Sequence, residues 1–484
     1  MLGRTRRIHF VGIGGIGMSG IAELLANLGF AVSGSDVKRS DVTARLEAEC
    51  GVTVREGHAA DHVKDADVVV VTSAVRPGNP EVVEAVRRGI PVIPRAEMLA
   101  ELMRLKFSIA VAGSHGKTTT TSMIAFVLER GGLDPTAVIG GRLSAFGSNA
   151  RLGLSEYMVA EADESDRSFL MLWPSMAVMT NVDHEHMESY ASFAELQQAF
   201  ADFANKVPFY GSVVACADDA HLAAVLPRVK RRLVTYGLEN EAADVVGTRV
   251  ELGAFGGRCV VQARDVSSGA YAASGADVAS GLSRKPRELG MLELSVPGRH
   301  NLLNALAAVA AAEQVGVGFE QSAAALREFR GAERRFQRHD EVNGVLVVDD
   351  YGHHPTEIAA VLSAARATLD RRLVVVFQPH RYSRTQQLMQ AFGPSLREAD
   401  EIVLTDIYAA GEDPIAGVTV DALADVVRQG SGRPVRLVRR LDQVVSELLT
   451  FVRAGDAVIT LGAGSVGSLP RELVAALGQR GTRA

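Results

Sequence analysis

Apolar runs of strand length alternate with stretches of helical period along almost the whole chain. Ile8 to Val11 is followed by Ile21, Leu24, Leu25 and Leu28, whose spacing of i, i+3, i+4, i+7 puts them on one face of a helix. Phe30 to Val32 and Val68 to Val71 predict further strands. A second series opens at Ser108 to Ala112 and continues through Tyr157 to Ala160, Met176 to Thr180, Val213 to Ala217 and Leu233 to Tyr236. A helix is predicted from about Asn301 to Gln314. A third series comprises Val345 to Val348, Leu373 to Phe377, Ile402 to Thr405 and Ala457 to Leu461. Short continuous apolar strands between helices predict parallel sheets covered on both faces, an α/β fold. Breaks near 106 and 330 divide the pattern into three α/β domains, 1–106, 107–329 and 330–484. Residues 262 to 290 are poor in large apolar side chains and rich in Ala, Ser, Gly and Arg, which predicts a long loop or hairpin excursion.

Length agrees with that division, because 484 residues are too many for a single core. A net charge of -6 argues against a nucleic-acid partner, which would need a basic surface. Cys50, Cys216 and Cys259 are scattered without CxxC spacing, so neither a disulfide framework nor a zinc site is expected, and a reducing compartment is. Arg4, Arg6 and Arg7 before an apolar stretch superficially resemble a signal sequence. That stretch is full of glycine and runs into Ser33-Gly34-Ser35-Asp36 with no small-residue cleavage site, so a strand and a tight turn explain it better. No run of about 18 apolar residues occurs, and the expectation is a cytoplasmic protein without a membrane partner.

Candidate chemistry begins after the strand at Ser108 to Ala112. Gly113-Ser114-His115-Gly116-Lys117-Thr118-Thr119 is a glycine-rich turn that leads from a strand into a helix, the context of a phosphate loop. Backbone N–H groups and the helix N-terminus attract phosphates, Lys117 reaches their outer oxygens, and the Thr118 hydroxyl can ligate Mg²⁺. The spacing is short: the common form needs glycine at 111, where Val111 stands. The strand from Tyr157 to Ala160 ends in Glu161-Ala162-Asp163-Glu164-Ser165-Asp166, at the strand end where open α/β sheets place ligands. Glu161, nearest the strand, is the strongest candidate for Mg²⁺. His184 and His186 form a His-x-His pair with no further His or Cys at zinc-ligand spacing, and His184 is read as structural.

Gly12-Ile13-Gly14-Gly15-Ile16-Gly17 fits G-x-G-x-x-G after a strand, and Asp36 stands where a ribose-binding acid would be. Alone this predicts an NAD-dependent dehydrogenase. The turn cradles any pyrophosphate, however, and the acid holds any ribose, so a nucleoside-diphosphate sugar satisfies both. A chain with two phosphate-binding turns predicts two nucleotide ligands, ATP and a second one.

Together these motifs resemble the Mur ligase family, which builds the peptide stem of bacterial peptidoglycan. The resemblance rests on the short ATP loop, on Glu161 to Asp166, on Thr180-Asn181-Val182-Asp183 and on Gly298-Arg299-His300-Asn301-Leu302-Leu303-Asn304-Ala305. It continues in Arg334-Arg335-Phe336 and Asp349-Asp350-Tyr351-Gly352-His353-His354-Pro355, and so runs through essentially the whole chain. It implies a Rossmann-like N-terminal sugar-nucleotide domain, a central P-loop ATPase-like domain and a Rossmann-like C-terminal domain. Within the family, Met18-Ser19, Phe377 to Thr385 and Asp406 to Glu412 resemble the member that adds L-alanine to UDP-N-acetylmuramic acid. The alternative is the recycling ligase that adds a whole tripeptide to the same sugar; it typically carries an aromatic residue where this chain has Ser165. A folylpolyglutamate-type ligase shares the short ATP loop but should lack the first domain.

The resemblance also implies roles for single residues. Gly14, Gly15, Met18 and Ser19 would line the UDP-sugar diphosphate, with Asp36 and His58 near the uridine and Ser73 and Arg95 as further candidates. Gly113, Ser114, His115, Gly116, Lys117, Thr118 and Thr119 would hold ATP phosphates, with Asn304, Arg335 and Asp350 contacting the nucleotide. Thr118, Glu161 and His186 would ligate Mg²⁺. Tyr351, His353, His380, Arg381 and Arg384 would face alanine and the acceptor carboxylate, and Lys117, His353, Arg381 and Arg384 would be catalytic. The implied reaction passes through an acyl phosphate in an enzyme that is a monomer or homodimer. Ser465 stands where the family often has an acid or amide, and its loop receives no role.

Overall fold

The computed structural model describes residues 5–72, 74–76, 78–143, 148–185, 187, 189–253, 256–264, 286–331 and 334–481. Among them are three sheets, as the three apolar series require. The first has five parallel strands in the order Thr53–Glu56, Ala31–Asp36, Arg7–Val11, Val68–Val71, Val92–Pro94. Strand Arg7–Val11 lies between neighbours that follow it in opposite directions, so the glycine turn after Val11 opens at the switch point where such sheets bind ligands. The second strand was expected at Phe30 to Val32 and instead runs Ala31–Asp36. Its polar residues are satisfied from neighbouring elements: Ser33 Oγ lies 2.9 Å from His9 Nδ1, and Ser35 Oγ donates to Glu81 at 2.6 Å. Gly34 is required there, since a Cβ would stand 2.6 Å from Ile13 Cδ1.

The second sheet has ten strands, with Phe107–Ala112 between Tyr157–Glu161 and Met176–Met179, both parallel to it. Ser212–Cys216 and Leu233–Gly237 continue it on the Met176–Met179 side. Beyond them come Val245–Gly253, Gly256–Ala263 and Arg287–Leu294. The excursion expected over 262 to 290 is therefore strand at both ends, because alternation of polar and apolar residues suffices where one face is solvated. Residues 265–285 lie outside the described residues. The third sheet has the order Gln337–Val342, Val345–Asp350, Asp456–Leu461, Arg372–Phe377, Glu401–Leu404, Val435–Leu437 and is parallel apart from its first pair. Its alternate residues feed two separate cores. Leu346, Val348, Leu373, Val375 and Phe377 pack on one face, and Val345, Val347, Val374 and Val376 on the other. That double coverage is why these strands read as unbroken apolar runs.

Two compact units result. One contains the first sheet and most of the second (Met1–Val250, Arg258–Glu293, Asn301–Arg330); the other is Glu251–Gly257, Leu294–His300 and Gly331–Ala484. Among the described residues no helix is long and apolar enough to cross a membrane.

Candidate active site

The phosphate loop is built by its neighbours in the sheet. Gly113 takes φ +145°, and a Cβ there would stand 1.9 Å from Thr180 Oγ1, so only glycine fits. Gly116, at φ +82°, is the N-cap of helix Lys117–Arg130, and a Cβ on it would meet Asn304 Oδ1 at 2.8 Å. Asn304 thus stands beside the loop. The segment after Met176–Met179 clamps the turn. Asn181 Oδ1 accepts from His115 N–H at 2.8 Å, Asn181 Nδ2 and Thr180 Oγ1 donate to the His115 carbonyl at 3.0 and 2.6 Å, and Ser114 N–H donates to the Asn181 carbonyl at 3.1 Å. His115 Nε2 lies 2.9 Å from Asp183 Oδ2. The clamping residues lie in the Thr180 to Asp183 signature, yet their local sequence does not reveal this role; only the strand pairing does.

Lys117 Nζ donates to the carbonyls of Gly113 at 2.7 Å and Ser114 at 3.3 Å and lies 2.9 and 2.8 Å from the two Glu164 oxygens. Burial acts to strip the Lys117 proton, and Glu164, Asp163 and Glu161 outweigh it, so the ammonium is held more firmly than usual. Burial pushes the Glu164 carboxyl up to about 7 even against the pull of Lys117. Thr118 Oγ1 donates to Glu161 Oε2 at 3.0 Å, which converges two oxygen donors beside the loop. Thr119 is buried in the first helical turn. His186 lies outside the described residues. His184 stacks on Phe193 at 3.7 Å between ring centroids.

In the first domain, the N–H groups of Gly12 and Ile13 donate to the Ser35 carbonyl at 2.8 and 3.0 Å. Gly14 N–H donates to Asp36 Oδ2 at 2.8 Å, so Asp36 closes the turn. Gly15, Gly17, Met18, Thr72 and Arg95 line a cavity of about 250 Å³ whose other wall is Val138, Ile139, Glu161 and Asp163. The glycine turn and the metal-candidate carboxylate share one cavity. Ser19 is fully buried in the helix Ile16–Asn27. His58 is tied to Ser35 Oγ at 3.0 Å and to Glu81 at 3.4 Å. Ser73 lies outside the described residues.

The C-terminal unit gathers its own group at the ends of strands Val345–Asp350 and Arg372–Phe377. The buried Asp350 accepts from the N–H groups of Phe336 at 2.7 Å and Gly352 at 2.6 Å, and burial pushes it up to about 6 against the pull of Arg335. Arg335 stands 5.4 Å over the Tyr351 ring and 3.4 Å from Glu357. The rings of His353 and His380 are 5.6 Å apart, and Arg384 Nη1 lies 3.4 Å from His380 Nδ1. Burial and Arg384 hold His353 down to about 3 despite Glu357; burial, Arg384 and Arg381 hold His380 down to about 4. Arg381 takes φ +71° and donates its N–H to the Tyr408 carbonyl at 2.8 Å. Tyr408, whose ring stacks on His380, and Glu357, at the start of helix Pro355–Thr368, belong to this group without having been singled out, since only the fold carries them there. Ser465 receives a bond at 3.2 Å from Gln378 Nε2, a structural partner inside the same unit.

Family models match nearly the whole chain: "Mur ligase family, catalytic domain" over residues 7–107, "Mur ligase middle domain" over 111–312 and "Mur ligase, glutamate ligase domain" over 334–464. A UDP-N-acetylmuramate–L-alanine ligase of Geotalea daltonii is 51% identical over 474 residues, 98% of each chain. The crystal structure of a UDP-N-acetylmuramate-alanine ligase from Thermotoga maritima superposes with a TM-score of 0.80 at 30% identity, covering 98% of this chain and 99% of that one. A murein peptide ligase from Psychrobacter arcticus superposes at 0.70 with 26% identity, covering 98% of both.

Proposed function

The chain belongs to the Mur ligase family, and on that premise we propose that it joins L-alanine to the lactyl carboxylate of UDP-N-acetylmuramic acid, splitting ATP to ADP and phosphate. The relatives named for the alanine reaction share half of its residues over their full length, which favours this reading over tripeptide addition. The observation that carries the site is the shared cavity: a glycine turn suited to a diphosphate on one wall, Glu161 beside the ATP loop on the other.

A carboxylate is a poor electrophile. Its oxygen attacks the γ-phosphorus of ATP, ADP leaves, and an acyl phosphate forms. The alanine ammonium first gives one proton to water, its free amine attacks the carbonyl carbon, and the tetrahedral intermediate collapses as inorganic phosphate leaves with the second amine proton. The transferring phosphoryl group carries spread negative charge, so positioning and electrostatics do most of the catalysis. Lys117 and the loop N–H groups supply the positive end of that field. Thr118 and Glu161 are hard oxygen donors 3.0 Å apart, a pair that fits Mg²⁺. Bound there, the ion would neutralise charge on the phosphates. Asn304 contacts the nucleotide in this reading, and Arg335 and Asp350 are the nucleotide-contacting candidates of the C-terminal unit. His353, held neutral, accepts a hydrogen bond from the alanine ammonium and orients it, and Arg381 and Arg384 hold carboxylates.

Phosphate release measured with purified protein tests the reading. It should require ATP, the muramyl nucleotide and alanine together, and Lys117→Ala should abolish it. Release that ignores either acceptor, or near-normal turnover in the variant, sinks the assignment. Tight NADH binding would revive the dehydrogenase alternative.

A further inference from the structure

An ammonium group has three protons to donate, and in Lys117 every one meets a protein oxygen. The shortest contacts go to Gly113 O at 2.7 Å and to the Glu164 carboxylate at 2.8 and 2.9 Å; the longest goes to Ser114 O at 3.3 Å. A phosphate oxygen that binds Lys117 must take over one of these donors, and the 3.3 Å contact is the weakest. The Glu164 contact is the strongest, because it is charge-assisted and its side chain is only 1% exposed, out of reach of competing water. Glu164 is itself fixed. Its carbonyl accepts from the Tyr190 hydroxyl at 2.6 Å and from Arg167 N–H at 3.1 Å, and Tyr190 is buried.

We propose that Glu164 is a positioning residue for Lys117, a buried carboxylate that keeps its hold on the ammonium when nucleotide binds and so aims the remaining donor at the phosphates. Without it the lysine would keep its charge but lose its direction, swinging among the loop carbonyls. The inference rests on the reading of this loop as the ATP site.

Direct ATP binding without acceptors, the KM of each substrate, kcat and thermal unfolding, measured for Glu164→Ala and Glu164→Gln, test it. Loss of one charge-assisted hydrogen bond should weaken ATP binding and raise its KM roughly ten- to a hundredfold in Glu164→Ala. The KM values for alanine and the muramyl nucleotide should hold. Glu164→Gln keeps an acceptor oxygen and should recover part of the loss. Unchanged or tighter ATP binding would mean that Glu164 competes with phosphate, and overturns the proposal. So would a drop in kcat and melting temperature with every KM unchanged, the mark of a merely structural residue. If Glu164→Ala does not fold, Glu164→Gln decides alone, and an unaltered ATP KM in it also overturns the proposal. Failure of the function itself is seen separately, as acceptor-independent phosphate release by the unsubstituted protein.

Discussion

Gly113 and Lys117 are four residues apart and were found together, because a strand, a glycine turn and a Lys-Thr helix start leave their mark in adjacent letters. What makes Gly113 indispensable lies elsewhere in the sequence. Its φ of +145° and the 1.9 Å approach of Thr180 Oγ1 to a would-be Cβ leave no room for alanine. Gly113→Ala should therefore abolish ATP binding, while binding of the muramyl nucleotide persists. Gly132→Ala is the control: φ is +83°, nothing lies within 4 Å, and only a backbone cost of about 1 kcal/mol is expected. Titration calorimetry of both variants with ATP checks this, and equal affinities would refute it. Glu164 and Asp183 were visible as acids but not as partners of Lys117 and His115. An acid in a run of acids carries no mark of which cation it will meet.

Strand Ala31–Asp36 and helix Pro80–Arg87 are joined by a carboxylate that neither element's pattern announces. Glu81 is wholly buried, next to a Pro at the helix start, and meets Ser35, His9, His58 and His62. Burial alone would raise its pKa; His9, 3.6 Å away, and hydrogen bonds with Ser35 and His62 outweigh that and hold it down to about 2 from 4.5. A depressed carboxylate stabilises the fold fully above its unfolded value and loses that contribution as pH falls through 4.5 toward 2. The difference corresponds to about 3 kcal/mol at neutral pH. Glu81→Gln should lower the melting temperature by roughly 5 to 10 °C at pH 7. The gap to the parent should narrow below pH 4.5, and a gap equal at pH 3 and pH 7 would count against the ion cluster. Strands with two covered faces were the legible ones. Those with one solvated face or a short hairpin, such as Thr136–Leu143 with Ser148–Arg151, were not, because a stretch such as Ser148-Asn149-Ala150-Arg151 reads equally well as loop.

Across the whole chain, the alternation of apolar runs with helical stretches was enough to predict parallel α/β sheets, and three are present. It could not reveal that the first sheet and most of the second form one compact unit, since that depends on packing between layers rather than on period. Nor could it show that the glycine turn of the first sheet and Glu161 of the second face one cavity. The strand order of the second sheet has a consequence for how the protein comes into being. Lys117, Glu161 and Asn181 stand at or just beyond the ends of three adjacent strands whose pairings join distant parts of the chain. Such contacts must each close a long loop before any reward is felt. Nucleotide affinity is thus acquired late by a refolding chain, after helices have formed, and ATP becomes a clock for the last stage of assembly. In stopped-flow refolding, the signal of a fluorescent ATP analogue should lag behind far-UV circular dichroism; coincident traces would show that the loop can form before its sheet.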